Sequence, residues 1–371
     1  MIRFAACVVV AMWAVLVAGL AACAGESLSV RDFGAVGDGL ADETAAFNQA
    51  IAAGVQAGQP VFVPTGDYRI NPEIGIKLLS GSKLAMAPKA VLRAIATSSG
   101  HSRLIQIYNC RGASVSGGQL IGERESHLGA GGEWGMGLDI RGSSDVAVVG
   151  VQVSECWGDG VYISGCSNVL IAEVKLSHNR RQGLSIVDGS KIVIRNCVFE
   201  RTEGTLPSCG IAIETNEGQS VRDVKITSCR CVSNAGRGIS VSVPNQFVGA
   251  AVVEGVQIDN CEISSNGCDS PAYGVEISNA SQVRVRNCKI EGNRGIGIGS
   301  VKVRRVSVMN CTVTGTIPIE GQSIAGVLFS EDLESELIGC RIVDNETPGI
   351  FLHKSSVVAR SNRIVRNRTR Q

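Results

Sequence analysis

One phrase recurs from about residue 100 onward and limits the fold of this chain more than any other feature. It runs apolar-x-apolar, then Asn-Cys or a relative, a second apolar pair, a polar turn with Asn, and Gly-apolar-x-apolar. Val256-Gln257-Ile258-Asp259-Asn260-Cys261-Glu262-Ile263 leads to Gly274-Val275-Glu276-Ile277, and Val283-Arg284-Val285-Arg286-Asn287-Cys288-Lys289-Ile290 leads to Gly295-Ile296-Gly297-Ile298. Apolar and polar residues alternate within each unit, so one row of side chains points inward and the next outward. The cysteines that mark successive units, Cys197, Cys229, Cys261, Cys288, Cys311 and Cys340, are spaced 32, 32, 27, 23 and 29 residues apart. Short strands repeating on that scale predict a solenoid whose coils stack strand on strand, a parallel β-helix. The uneven gaps place insertions in one family of turns, where they can wall a cleft. Aromatics are only 4% of residues while glycine numbers 45, a poor mix for a helical bundle or a globular α/β core.

Twelve cysteines follow Cys23. Residues at equivalent places on successive coils lie about one strand spacing apart, ~4.8 Å, so the repeat favours a ladder of free, buried thiols over a disulfide framework. Pairing of Cys229 with Cys231, or of Cys209 with Cys268, across turns is the alternative. No CxxC or His/Cys spacing points to a metal centre. The asparagines beside the cysteines, Asn196, Asn260, Asn287 and Asn310, are expected to form a ladder of amide bonds to turn backbone.

The chain opens with Met1-Ile2-Arg3 and then carries no charge from Phe4 to Gly25, the layout of a secretory leader. Leu20-Ala21-Ala22-Cys23 resembles the bacterial lipobox, with Cys23 as the lipidation site and residues 1–22 as the signal peptide. An ordinary signal cut after Ala24 and an uncleaved anchor are the competing readings. Ala24 after Cys23 resembles the outer-membrane sorting preference, so the expected address is the bacterial cell envelope, as an outer-membrane lipoprotein or a periplasmic protein held to the membrane by lipid only. Lys and Arg number 35 against 34 Asp and Glu, and cleavage removes Arg3. The mature chain is then formally neutral and offers no general field for nucleic acid. The arginines crowded near the end (Arg360, Arg363, Arg366, Arg368, Arg370) read as a solvated end or a lipopolysaccharide-facing patch. Oligomeric state is left open.

Residues 29 to 54 include Asp32-Phe33-Gly34, Gly37-Asp38-Gly39 and a helical run, and Val61-Phe62-Val63-Pro64-Thr65-Gly66-Asp67-Tyr68 follows. Asp42 can cap a helix over Glu43 to Ala53 whose Ala46, Phe47 and Ile51 share one side, and such a helix closes the open end of a solenoid. Asp32-Phe33-Gly34 is therefore turn chemistry and not a kinase motif. This opening resembles that of the pectate-lyase-like right-handed parallel β-helix family of lyases, polygalacturonases, alginate epimerases and phage tailspikes. The expected fold is all-β, a single-stranded right-handed parallel β-helix (solenoid) with an N-terminal capping helix. Residues 23–98 form the cap and first coils, and 99–371 the repeats. The resemblance implies a polysaccharide as partner and specifies fold far better than reaction.

Aligning units on Gly-apolar-x-apolar-x gives two outward rows, one of Asp139, Tyr162, Ser185 and Ala212 and one of Arg141, Ser164, Val187 and Glu214. Met136, Asp159, Gln182 and Cys209 precede the glycines on the same face. These coils concentrate reactive and aromatic groups after the glycine-rich stretch at 129–137, whereas later coils offer Ser240, Ser242, Ser278, Gly297 and Gly299. Chemistry is thus expected on the early coils. The candidate catalytic residues are Asp159, Tyr162, Arg180, Arg181 and Glu214. Trp134, Asp139, Arg141, Trp157, His178 and Gln182 are the candidate substrate-binding residues, because sugars need ring faces for stacking and charged forks for hydroxyls and carboxylates. Trp157-Gly158-Asp159-Gly160-Val161-Tyr162 with Asn179-Arg180-Arg181-Gln182 resembles one branch of these proteins, in which Gly-Ile-Asp-Ile-Glu follows; here Ala212 fills the place of the second acid.

Three mechanisms use these parts. A polysaccharide lyase on uronate-containing glycans needs an arginine (Arg180, Arg181) at the carboxylate and Tyr162 or His178 as base. A C5 epimerase would return the proton to the other face. A glycoside hydrolase would pair Asp159 with Glu214 or Asp139. A non-catalytic polysaccharide-binding surface module is the reading from another class. Each residue also has a structural role open to it: Asp159 as a turn residue between glycines, the arginines as partners of nearby carboxylates, His178 in a turn ladder. Lyase is the leading expectation. No cofactor is required; calcium stays open, with Asp139, Asp159 and Glu214 as the carboxylates that would hold it.

Overall fold

The computed structural model describes residues 27–268, 273–319 and 325–368. The expected leader and Cys23 lie outside the described residues. Among the described residues no helix is long and apolar enough to cross a membrane.

The chain winds as a right-handed parallel β-helix. Two sheets of 13 strands and one of 11 run the length of the solenoid, every pairing is parallel, and each sheet takes one strand per coil. The alternation read from the sequence drives this. Val146, Val169, Ile192 and Val224 pair in register across successive coils and each is no more than 1% exposed. Stacked β-branched side chains pack well on a pleated surface, and each buried one contributes roughly 1.5–3 kcal/mol. The first coil that contributes to all three sheets is already Val61–Val63, Gly66–Ile70 and Ile76–Leu78.

The capping helix spans Thr44–Ala57, longer than expected, and buries Phe47, Ala50, Ile51 and Gly54. Phe47 meets Tyr68 edge to face with ring centroids 5.3 Å apart. Its N-cap is Glu43 and not Asp42, and the Glu43 carboxylate instead accepts the amides of Val36 and Gly37. Asp42 still accepts the first helical amide, Thr44 N–H, at 3.0 Å.

The corner cysteines form the expected ladder. The thiols of Cys197, Cys229, Cys261, Cys288, Cys311 and Cys340 donate to the carbonyl two residues earlier at 3.2–3.5 Å. Cys209, Cys229 and Cys231 are free and buried, so neither cross-turn pairing forms. The asparagine expectation needs correction. Asn196, Asn260, Asn287 and Asn310 adopt φ of 54, 55, 55 and 53° and lie exposed, turning the corner through the left-handed conformation that asparagine tolerates. The amide ladder runs along another corner. There Asn234, Asn266 and Asn293 are buried, and Asn266 Oδ1 accepts the Asn234 amide at 3.0 Å while its Nδ2 donates to Cys231 O at 2.9 Å. Backbone groups inside a tight corner have no ladder partner, so side-chain amides satisfy them.

Two of the longer insertions, residues 122–133 and 201–210, precede strands of the 11-stranded sheet. Gly131, Gly132 and Glu133 of the first bond Trp157, Arg180 and Arg181, and Leu206 and Pro207 of the second line a cavity on that sheet, so both wall its outward face, the floor of a groove.

Candidate functional site

The floor carries Trp134–Arg141, Val161–Ser164, Leu184–Ile186, Ile211–Glu214, Ile239–Ser242 and Tyr273–Ser278. Its register runs Asp139, Tyr162, Ser185, Ala212, Ser240, Glu276 along one outward row. Three charged clusters sit on it.

The first surrounds Asp139, which has no exposure although its row faces outward. Arg103 Nε and Arg141 Nε donate to its two oxygens at 2.8 and 2.7 Å, and Tyr108 Oη at 2.5 Å. Burial and this carboxylate push the Tyr108 phenol up, so it remains a donor. The Arg141 guanidinium lies 4.7 Å from the Tyr162 ring centre and Trp134 meets that ring edge to face at 6.0 Å. Tyr162 is left 6% exposed, and burial raises its hydroxyl above the usual phenol value.

The second surrounds Asp159, also without exposure. Arg181 Nη1 lies 3.3 Å from Asp159 Oδ2 and its Nε donates to Glu133 Oε2 at 2.9 Å, while Ser185 Oγ donates to Asp159 at 2.7 Å. Burial outweighs the Arg181 charge, and the Asp159 carboxyl is pushed up to about 6. Beside it the inserted loop is pinned by a stack. The Trp157 ring lies 3.8 Å from the parallel His127 ring and 3.8 Å from the Arg180 guanidinium, which places them on opposite faces because both cannot occupy one face at that distance. Arg180 also donates to Gly132 O at 2.8 Å, and Arg124 to His178 O at 2.9 Å.

The third cluster, on later coils, joins Arg237 to Glu276 at 2.5 Å, with Ser240 Oγ donating to Glu276 at 2.8 Å and Tyr273 beside the guanidinium at 6.0 Å. An open cavity of about 570 Å³ lies here, lined by Arg181, Glu214, Arg237, Ser240, Tyr273 and Glu276 among others. The cavity joins Arg181 and Glu214 of the early coils to Arg237, Ser240, Tyr273 and Glu276 of later ones. Glu276 occupies the third place of Gly274-Val275-Glu276-Ile277, the same phrase that singled out Asp139 and Tyr162; extending the row would have found it. Arg103, Tyr108 and Glu133 carry no such signal, since they reach the site from a neighbouring coil and a loop.

Of the expected catalytic residues, Arg181 and Glu214 line the cavity. Asp159 lies behind Arg181, Tyr162 beneath Arg141 and Trp134, and Arg180 on the loop stack. Of the expected binding residues, Trp134, Asp139 and Arg141 belong to the first cluster and Trp157 to the stack. Gln182 is buried and accepts the Cys209 amide at 3.2 Å, a backbone role. His178, at φ 55°, is engaged through its carbonyl by Arg124. Among the described residues no three His, Cys, Asp or Glu side chains converge as a metal site; Asp139 and Asp159 are instead held by arginines.

The family model described as right-handed beta helix region matches residues 97–246 and 249–370. A second, rhamnogalacturonase A/epimerase, pectate lyase-like, matches residues 27–112. An uncharacterized Bacillus subtilis protein, YclG, is 26% identical over 89% of this chain, and the match covers 61% of its own length. The chain thus spans about three fifths of that relative. Among solved structures, the A-module of the Azotobacter vinelandii mannuronan C-5 epimerase AlgE4 superposes with a TM-score of 0.75 at 20% identity, covering 93% of this chain and 98% of that one. The Streptococcus pneumoniae surface protein and adhesin PfbA gives 0.70 at 16% identity, covering 91% and 97%. At these identities the likeness is one of fold.

Proposed function

The chain belongs to the right-handed β-helix family, and from that premise we propose that it is an exported protein that cleaves an acidic, uronate-containing polysaccharide by elimination, in the groove that begins at Arg181. One observation carries the reading. The two aspartates a hydrolase would use, Asp139 and Asp159, have no exposure and are each tied to arginine, whereas the cavity is lined by Arg181, Arg237 and Lys302 together with the carboxylates of Glu214 and Glu276. Such a surface suits a substrate that brings its own negative charge.

Elimination beside a uronate needs a cation to neutralise its carboxylate and so acidify the C5 proton, and a base to remove it. Arg181, already fixed by Asp159 and Glu133, is the cation. Glu214, which has no ion-pair partner among the described residues and lines the cavity, is the base. As the C5–H bond breaks, its electron pair forms the double bond to C4, the C4–O bond breaks, and the departing oxygen takes a proton from water in the open groove. The mannuronan epimerase likeness keeps epimerisation as a sister outcome, since it begins with the same proton removal. The adhesin likeness and Ala212 in the acid's place favour a second reading, a surface module that holds glycan without turnover.

The test is to incubate the full chain with a panel of polyuronates and neutral glycans, following ultraviolet absorbance of unsaturated uronate ends together with reducing ends. Both signals rising on polyuronates is the expected result. Reducing ends without absorbance would establish a hydrolase and overturn the elimination reading. Neither signal, with measured binding, would favour the holding module.

A further inference from the structure

Resting on the acidic-glycan reading above, we propose that Arg237 forms a second carboxylate-binding subsite, so that the groove takes a linear glycan lying across the coils with uronates two residues apart.

The argument begins with register. The Gly183 amide donates to Cys209 O and the Gly210 amide to Arg237 O, so Gly183, Gly210 and Gly238 stand on three successive coils. The backbones at Arg181 and Arg237 are therefore two coils apart along the solenoid, an axial offset of roughly 9.6 Å at the usual strand spacing of ~4.8 Å, with Arg181 one residue earlier in its coil. Both line the same cavity.

The two arginines are also built alike. Arg181 is set against Asp159, which accepts Ser185 Oγ at 2.7 Å. Arg237 is set against Glu276, which accepts Ser240 Oγ at 2.8 Å. Ser185 and Ser240 share one outward row with Ala212 between them. Two Arg, carboxylate and Ser units thus lie on one floor in mirrored order, Asp159 one coil before Arg181 and Glu276 one coil after Arg237, with the two arginines on the inner coils. Arg237 Nε is buried against Glu276 at 2.5 Å and the side chain also bonds Cys209, so the arginine is anchored by its own chain while it lines the cavity. Polar Ser242 and Lys302 extend the same wall.

One coil spacing, ~4.8 Å, is close to the advance of one sugar in an extended glycan of 1,4-linked pyranoses. Two coils then match two sugars. A carboxylate held at Arg181 places that of the next-but-one residue at Arg237, and the shortest ligand that reaches both is a trisaccharide.

The experiment is calorimetric titration of the full chain with a diuronate and a triuronate, in wild type, Arg237→Gln and Arg237→Gln/Glu276→Gln. The double variant avoids leaving Glu276 charged and unpaired. Wild type should bind the triuronate about tenfold or more tightly than the diuronate, the worth of one charge-assisted pair. Both variants should lose that increment and keep the diuronate affinity. An increment surviving in the double variant, or equal affinities in wild type, overturns the second subsite while the acidic-glycan reading stands. Failure of wild type to bind oligouronates or polyuronate overturns both.

Discussion

The guanidinium of Arg181 lies 3.3 Å from Asp159 and 2.9 Å from Glu133, joining a floor residue with no exposure to the loop that walls the groove. One side chain thereby offsets a buried charge, fixes the wall and presents its own charge to the cavity. Breaking such a pair from one side strands the other charge.

Arg181→Ala should accordingly destabilise the fold by about 3 kcal/mol, with Asp159→Asn in the same chain recovering most of that loss. Urea unfolding of the two single variants and the double variant reads both numbers. Arg181→Lys should not restore wild-type behaviour, because one ammonium cannot serve two carboxylates in forked geometry. Additive losses in the double variant would mean that Asp159 and Arg181 are not a unit.

Asp159 also sets a pH dependence. Its carboxyl is raised from 3.8 to about 6, chiefly by burial, so the native state holds the proton more readily than the unfolded chain. Its contribution is full below the unfolded value and is lost as pH rises through about 6, a change of about 3 kcal/mol. Wild type should therefore lose more stability between pH 5 and pH 7.5 than Asp159→Asn does, as measured by chemical unfolding at both values. Equal losses would place the Asp159 carboxyl at its ordinary value.

The two sets of asparagines should respond differently. Asn266→Ala removes acceptors from Asn234 and donors to Cys231 and Asn293 inside a buried corner, and should cost about 2 kcal/mol. Asn287→Gly, at an exposed residue with φ of 55°, should stay within about 0.5 kcal/mol of wild type because glycine accepts that conformation freely. Thermal unfolding of the pair separates them; similar costs would contradict the corner assignment.

The thiol ladder predicts indifference to reductant. Cys197, Cys229, Cys261, Cys288, Cys311 and Cys340 are free and buried, so Tm should be the same with and without dithiothreitol, and these thiols should react with a thiol reagent only after denaturation. A fall of several degrees on reduction would reveal a disulfide.

The fold was legible because it depends on a period that each segment carries by itself. Val283, Val285 and Ile290 announce their inward rows without reference to any other coil, and the Gly-apolar-x-apolar phrase aligned Asp139 with Tyr162 and Ser185 in the register the strands adopt. The site was legible only as far as such rows reach. That Asp139 and Asp159 point outward yet lack exposure depends on Arg103, Tyr108, Arg141 and Arg181 folding over them from other positions, and no local pattern encodes that cover. The asparagine ladder was misplaced for a related reason. Asn260 beside Cys261 and Asn266 six residues on look alike in sequence, and only the geometry of the two corners decides which amide turns inward.

The central claim, that arginines on this face grip the carboxylates of a polysaccharide, is tested most directly by comparing binding of one polyuronate with binding of the same polymer after methyl esterification of its carboxyls. The account predicts clear retention of the acid form in affinity electrophoresis and at least tenfold weaker retention of the ester. Equal retention of the two forms, or of neither, would contradict it.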